Sequence, residues 1–236
     1  MSGNQKKIRE WRKENAILRT KQRRPDMYEE YMRLQGCLLQ LKKNKLLHID
    51  MIELIERGQA VLVGEEGANI CLMDKESGIY FLTAVNPKEG ERLLTFIPNE
   101  PSVTAVVHQE FLCNMAKEYL QSENVLSCYQ AVYTRREKLP VTGLYRLDQE
   151  EQDTMPKICR LTEEYAKEVF KHYTMAENIE YIYDRIEKGW LYGAFVEEKL
   201  AGFIGMHKEG GIGMLEVLPQ FRGRGIAKAL ETYMIN

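Results

Sequence analysis

The segment IGMLEVLPQFRGRGIAKALETYMI, residues 212–235, decides the fold. It opens as a short β-prone run, stops at Pro219 and turns through Gly223 and Gly225. It then continues with Ile226, Leu230, Tyr233 and Met234 at helical spacing. A strand that feeds a helix through a glycine-rich turn is an anion cradle. Glycine lets the backbone approach a ligand with no Cβ in the way, and the first helical turn offers unpaired N–H groups at the positive end of the dipole. Arg222, Arg224 and Lys228 add charge, so pyrophosphate is the natural occupant. Two common nucleotide motifs do not fit. GxxxxGK[ST] is absent, and Lys228 stands in the third position, where GxGxxG/A needs a small residue.

Upstream, residues 190–207 (WLYGAFVEEKLAGFIGMH) read as a hairpin turning at Glu197-Glu198-Lys199, and residues 208–211 form a second turn. Thr174 and Glu177 make a capping box before a helix carrying Ile179, Ile182, Tyr183 and Ile186, which Gly189 closes. MPKICRL (155–161) and TEEYAKEVF (162–170) read as helical, and GLYRL (143–147) as a strand. The charged stretch Arg135–Pro140 reads as a linker. Before it, residues 60–85 form a meander of three β-prone runs. PKEGERLLTFI (87–97) and EFLCNMAKEYL (110–120) follow as helices, SVTAVVH (102–108) and CYQAVYT (128–134) as strands. A helical hairpin and a short helix ending at Gly58 lead the chain. The expected class is α/β (α+β), with two lobes over residues 1–138 and 141–236, each with a mixed, mostly antiparallel sheet.

Gln220-x-x-Gly223-x-Gly225 matches the pattern Q/R-x-x-G-x-G/A and lies between a strand and a helix. The region from about Val141 onward therefore resembles the GNAT superfamily of acyl-CoA-dependent N-acyltransferases. The first half has no such signature, but its element order is similar to a degenerate GNAT lobe, as in the tandem arrangement of glycine N-acyltransferases. The resemblance implies that backbone N–H groups from Arg222 through Gly223, Arg224, Gly225 and Ile226 to Ala227, with Gln220 and Lys228 beside them, hold the pyrophosphate of acetyl-CoA. It implies that Val217 and Leu218 pair with the pantetheine arm and aim an N–H at the thioester oxygen, an oxyanion-type contact. Transfer is then direct attack by a neutral primary amine of a small molecule or amino acid, which needs a base. Strand alternation puts Met214, Glu216 and Leu218 on one face, with Leu215 and Val217 in the core, so Glu216 faces the cleft as a candidate catalytic base. The alternative for Glu216 is a salt-bridged structural carboxylate. His207 is the other candidate base, against the reading of a surface-turn histidine. Family members continue past this helix with a further strand, a helix carrying a general-acid tyrosine, and a hairpin. The second lobe is thus expected to be incomplete, truncated after the motif helix. A non-catalytic CoA-binding or protein-interaction module is the competing function.

Composition bounds these readings. The chain has 236 residues, 44% apolar and 29% charged, and no apolar run long enough to span a bilayer. Its N-terminus lacks the apolar core of a secretory signal, and five scattered cysteines suit a reducing compartment, so a cytoplasmic protein is expected. No CxxC or HExxH spacing occurs, and no metal is expected. Net charge is −2, unevenly placed: residues 1–24 hold nine Lys/Arg against Glu10 and Glu14, for +7, and the remainder carries −9. Such a basic arm can hold nucleic acid or an anionic membrane. The favoured reading is a solvated helix whose thin stripe, Ile8, Trp11 and Leu18, docks on the body. No membrane partner is expected, near-neutral charge argues against nucleic acid, and a homodimer is compatible with the sequence.

Overall fold

The computed structural model describes residues 5–100, 102–135, 137–140, 145–146, 153–154, 156–176 and 178–236. Glu177 of the expected capping box, Arg136 of the linker, Val141 at the expected boundary and all of GLYRL except Tyr145 and Arg146 lie outside the described residues. The chain divides into two compact units, Met1–Gln130 and Ala131–Asn236.

The N-terminal unit begins with helices α1 (Gln5–Arg23), α2 (Pro25–Leu41) and α3 (Ile49–Glu56). Strands β1 (Ala60–Glu66), β2 (Asn69–Asp74) and β3 (Tyr80–Thr83) follow as an antiparallel meander. Helix α4 (Pro87–Leu94) then crosses to β4 (Ala105–Val107), which pairs parallel to β3, and α5 (Glu110–Tyr119) follows. Cys37, Leu41, Met51 and Ile52 of α2 and α3 pack on one face of the sheet against Ile70, Leu72 and Phe81. Leu93, Leu94, Leu112 and Ala116 of α4 and α5 cover the other face over Cys71 and Leu82. Residues 128–134, expected as a strand, form none. Of their apolar side chains only Val132 is half-buried, and Tyr129 is fully exposed.

In the C-terminal unit β5 (Tyr145–Arg146) and β6 (Asp153–Thr154) form a small ladder. The main sheet has the order β10-β9-β8-β7, antiparallel throughout, from β7 (Lys157–Arg160), β8 (Leu191–Val196), β9 (Lys199–Met206) and β10 (Ile212–Val217). β7 replaces the helix expected over 155–161. A short apolar run does not separate strand from helix by periodicity, and pairing with β8 decides it. Helices α6 (Ala166–His172) and α7 (Ile179–Glu187) cover one face, where Val169, Ile182, Phe203 and Met214 meet. Helix α8 (Ile226–Ile235) covers the other with Ile226 and Leu230 over Ala194, Ala201 and Ile204. Asn178 caps α7, its side-chain oxygen accepting from the Tyr181 N–H at 3.0 Å. The run α2-α3-β1-β2-β3-α4 thus has the element order of α6-α7-β8-β9-β10-α8.

Candidate functional site

The site grows from the end of β10, the outer strand of its sheet among the described residues. β10 is bulged. Gly213 pairs with Gly205 and Glu216 with Phe203, so Met214 and Leu215 together oppose the single residue Ile204. Met214 takes a left-handed φ of 52°, a conformation that costs a side-chain-bearing residue about 1 kcal/mol. Both faces of the strand are used. Met214 is buried toward α6 and α7, whereas Leu215 and Val217 are half-buried toward α8. Met214, expected on the cleft face with Glu216, is thus buried, because helices cover both sides of this sheet.

Beyond Val217, the Leu218 N–H donates to Ala201 O at 2.9 Å, which extends the ladder by one residue. Antiparallel alternation then turns the N–H and C=O of Val217 to the open edge. Of the two residues expected to meet a pantetheine arm, only Val217 has its N–H so placed. Its carbonyl accepts from Arg222 Nε at 2.9 Å. Pro219–Phe221 form a single 3₁₀ turn, closed by Phe221 N–H to Leu218 O at 2.8 Å and Arg222 N–H to Pro219 O at 3.3 Å. The Arg222 N–H is thus spent inside the turn, and the donors of the cradle begin at Gly223.

Gly223 and Gly225 both adopt left-handed backbone, φ 75° and 78°, which explains why glycine stands at each. A Cβ on Gly223 would meet nothing within 4 Å, so that face is open. Gly225 caps α8 without a side-chain hydrogen bond, and no acidic residue occupies the first turn. The N–H groups of Ile226, Ala227 and Lys228 therefore start a helix with no internal partner for them. Gln220 and Lys228 are exposed beside this start, Arg224 and Ala227 half-buried, and Ile226 is buried beneath it as an anchor.

The Arg222 side chain does not extend over the cradle. Its Nη2 lies 2.8 Å from Glu216 Oε1, so Arg222 and Glu216 form an ion pair across the strand end. Glu216 is consequently a partnered carboxylate whose second oxygen lies outside the pair. His207 is not a free turn histidine. Its Nδ1 lies 2.8 Å from the Tyr181 hydroxyl and its Nε2 3.5 Å from that of Tyr173. Burial, reinforced by nearby Glu209, pushes the Tyr181 hydroxyl up to about 12, so it holds its proton at neutral pH. Tyr173 is raised for the same two reasons. The ring of His207 also covers Gly213, where a Cβ would sit 2.4 Å from Nε2. Tyr173 and Tyr181 are thus site neighbours that sequence reasoning missed. Tyr173 directly follows α6 and Tyr181 lies on α7, and nothing in their spacing marks them as partners of His207.

The sequence model of the acetyltransferase (GNAT) family matches residues 155–236. The C-terminal ~80 residues are a GNAT-superfamily acetyltransferase domain. The match begins just before β7 and includes the whole of the β10–α8 site. A 31-residue stretch of the chain is 58% identical to part of a tRNA (guanine-N(1)-)-methyltransferase from Cytophaga hutchinsonii, spanning 13% of this chain and 13% of that protein. A crystal structure of a Drosophila protein aligns over 86% of this chain and 82% of its own with 15% identity and a TM-score of 0.46, a similarity too loose to assign function. Among the described residues no helix is long and apolar enough to cross a membrane, and no group of three or more His, Cys, Asp or Glu could hold a metal ion.

Proposed function

We propose that the C-terminal unit is an N-acyltransferase that takes an acetyl group from acetyl-CoA to the primary amine of a small molecule or amino acid. The observation that carries the reading is the start of α8: two left-handed glycines, an open face at Gly223, no side-chain cap and no first-turn acid. A pyrophosphate fits such a start by charge and by hydrogen bonding. The N–H groups of Gly223 through Lys228 would hold it, with the Arg224 and Lys228 side chains adding charge. The Val217 N–H on the strand edge would receive the pantetheine arm. When bound, acyl-CoA supplies the activated thioester. Glu216 would take the proton of the attacking amine through the oxygen that Arg222 leaves open, with Arg222 fixing the carboxylate in place. His207, braced by Tyr181, is the second candidate for that proton.

The N-terminal unit, with the same element order, is read as a second GNAT-like lobe that keeps the scaffold. Five unpaired cysteines suit a reducing, cytoplasmic setting. A CoA-binding module without turnover is the competing reading, and the Arg222–Glu216 ion pair favours it by occupying the candidate base. Titration calorimetry and a thiol-release assay test both. Wild type should bind CoA, and Gly223→Glu should lose at least tenfold in affinity, about 1.4 kcal/mol, by placing a carboxylate against the phosphates. Unchanged affinity in a folded variant would remove the site. Binding without thiol release across an amine panel would select the module.

A further inference from the structure

Helix α1 spans 19 residues, has no acid in its first turn and ends with Lys21 and Arg23 in its last. At 100° per residue Ile8, Trp11 and Leu18 share one stripe. The expectation that this stripe docks on the body is corrected by exposure: Ile8 is 42% exposed, Trp11 61% and Leu18 56%. The helix is tied to α2 at its far end, where Arg24 N–H donates to Thr20 O at 2.7 Å and Lys21 Nζ lies 5.2 Å over the Tyr28 ring. Of the half-buried residues, Ile17 and Thr20 lie on the side turned away from the stripe, and Asn15 lies within it, its side-chain N–H donating to Trp11 O at 2.8 Å. Arg12, Arg19 and Arg23, all exposed, line one border of the stripe, and on the other the exposed Glu14 falls between Lys7 and Lys21.

We propose that α1 is a docking surface for an anionic lipid bilayer, lying in the plane of the headgroups. An exposed aliphatic and indole stripe bordered by three arginines, on a helix that carries more Lys and Arg than Glu, is the complement of an anionic membrane interface. The apolar stripe enters the acyl boundary while the guanidinium groups stay at phosphate depth. A nucleic acid backbone would match the cations but leave Ile8 and Leu18 facing phosphates at the centre of the contact. A second copy would bring an equally positive helix, which repels. No helix among the described residues can cross a bilayer, so the attachment is peripheral.

The full chain is mixed with phosphatidylcholine vesicles, with and without phosphatidylserine, and followed by sedimentation and tryptophan emission. Of its two tryptophans, Trp190 sits under the Arg185 guanidinium at 5.1 Å, so a blue shift on binding reports Trp11. Binding is expected only with phosphatidylserine, weakening as salt rises. Arg12→Gln/Arg19→Gln/Arg23→Gln should bind ~100-fold more weakly, from about 1 kcal/mol for each cation at the surface. Ile8→Ser/Leu18→Ser keeps every charge and the reporter, yet should lose tenfold or more and the blue shift. Equal binding to both vesicles, no binding, or an Ile8/Leu18 variant that binds like wild type would overturn the proposal. So would tighter binding to duplex RNA than to phosphatidylserine vesicles at the same salt.

Discussion

Asp50→Asn tests the polar network at the end of the N-terminal sheet. His108 Nδ1 lies 2.9 Å from Leu82 O, and its Nε2 lies 2.9 Å from both carboxylate oxygens of Asp50. A carbonyl only accepts, so Nδ1 carries a proton, and the contact with Asp50 requires one more proton between the two residues. Burial opposes charge on His108, but the hydrogen bond and charge of Asp50 outweigh it and raise the imidazole. Burial likewise opposes the Asp50 carboxylate, and the hydrogen bond and charge of His108, with the Met51 N–H, outweigh it and lower the carboxyl. His48, 5.5 Å away between ring centres, is lowered by its own burial despite a hydrogen bond to Leu41 O. The raised His108 contributes stability that is complete below about pH 6.5 and is lost as pH rises through its folded value. The lowered Asp50 contributes stability present above about pH 4 and lost as pH falls through its folded value. The lowered His48 costs stability on the acid side of about pH 6.5, where the unfolded chain takes up a proton that the folded chain resists. Asn keeps the shape and removes the charge. His108 then behaves as a buried histidine with no counter-ion, and both histidines resist protonation. The side chains of His108 and Asp50 are 5% and 20% exposed, so the loss lies near the low end for a broken buried pair, about 2–3 kcal/mol near pH 5.5. It should shrink as pH rises through the raised folded value of His108, beyond which the imidazole is neutral in both proteins. Urea unfolding of wild type and variant across this range measures the difference. A loss below about 0.5 kcal/mol, or one that grows on the alkaline side, would refute the assignment of the shared proton.

Glu216→Gln should lower kcat by ~10²–10⁴ in protein that turns over, while CoA affinity stays within about threefold. A kcat near wild type in stopped-flow thiol release would leave Glu216 a structural partner of Arg222. Gly213→Ala should drive the His207 ring off Tyr181, because a Cβ there falls 2.4 Å from Nε2. The expected cost is about 1–3 kcal/mol, read by thermal unfolding, with a changed His207 imidazole resonance. An unchanged resonance would show that the backbone yields instead.

What was legible in the sequence is local chemistry. Pro219 stops a strand, Gly223 and Gly225 permit left-handed backbone, and the turn at Glu197-Glu198 follows from two alternating runs that meet there. Both of these glutamates take positive φ, 49° and 63°, and the hairpin forms without the usual Asn-Gly signal. What was not legible depends on partners distant in the chain. The bulge at Met214 arises from how β10 fits β9, and nothing in the alternation of IGMLEVL marks it. The pair Arg222–Glu216 needs the chain to double back through the 3₁₀ turn. The bracing of His207 brings in residues 26 and 34 positions away. Apolar runs misled in both directions. CYQAVYT alternates yet finds no sheet, whereas Ile158 and Cys159 find one that their spacing did not announce. Apolar spacing alone predicts that the stripe of α1 docks on the body, and its exposure is the feature that makes the helix informative.

The two units put the same order of elements to opposite electrostatic use. After β3, the chain enters α4 through Asn86, whose side-chain oxygen accepts from the Glu89 N–H at 3.0 Å. Pro87 removes a further donor, and Glu89 places a carboxylate in the first turn. The one glycine of α4, Gly90, serves packing, since a Cβ there would fall 2.9 Å from Leu112 Cδ1. The neighbouring strand edge is also taken, because β4 pairs along β3. After β10, the chain enters α8 through Gly225 with no side-chain cap, no proline and no acid, and the edge of β10 has no partner strand among the described residues. A capped, acidic helix start repels an anion that an uncapped start next to Lys228 attracts, by about 1 kcal/mol from the dipole and charge at each end. Exchanging Asn86 and Glu89 for Gly225 and Lys228, their counterparts at the cap and third helical positions, should therefore shift the anion preference between the units without disturbing either core, because these four residues lie outside both clusters of buried residues, whereas Ile226, the counterpart of Pro87, lies within one.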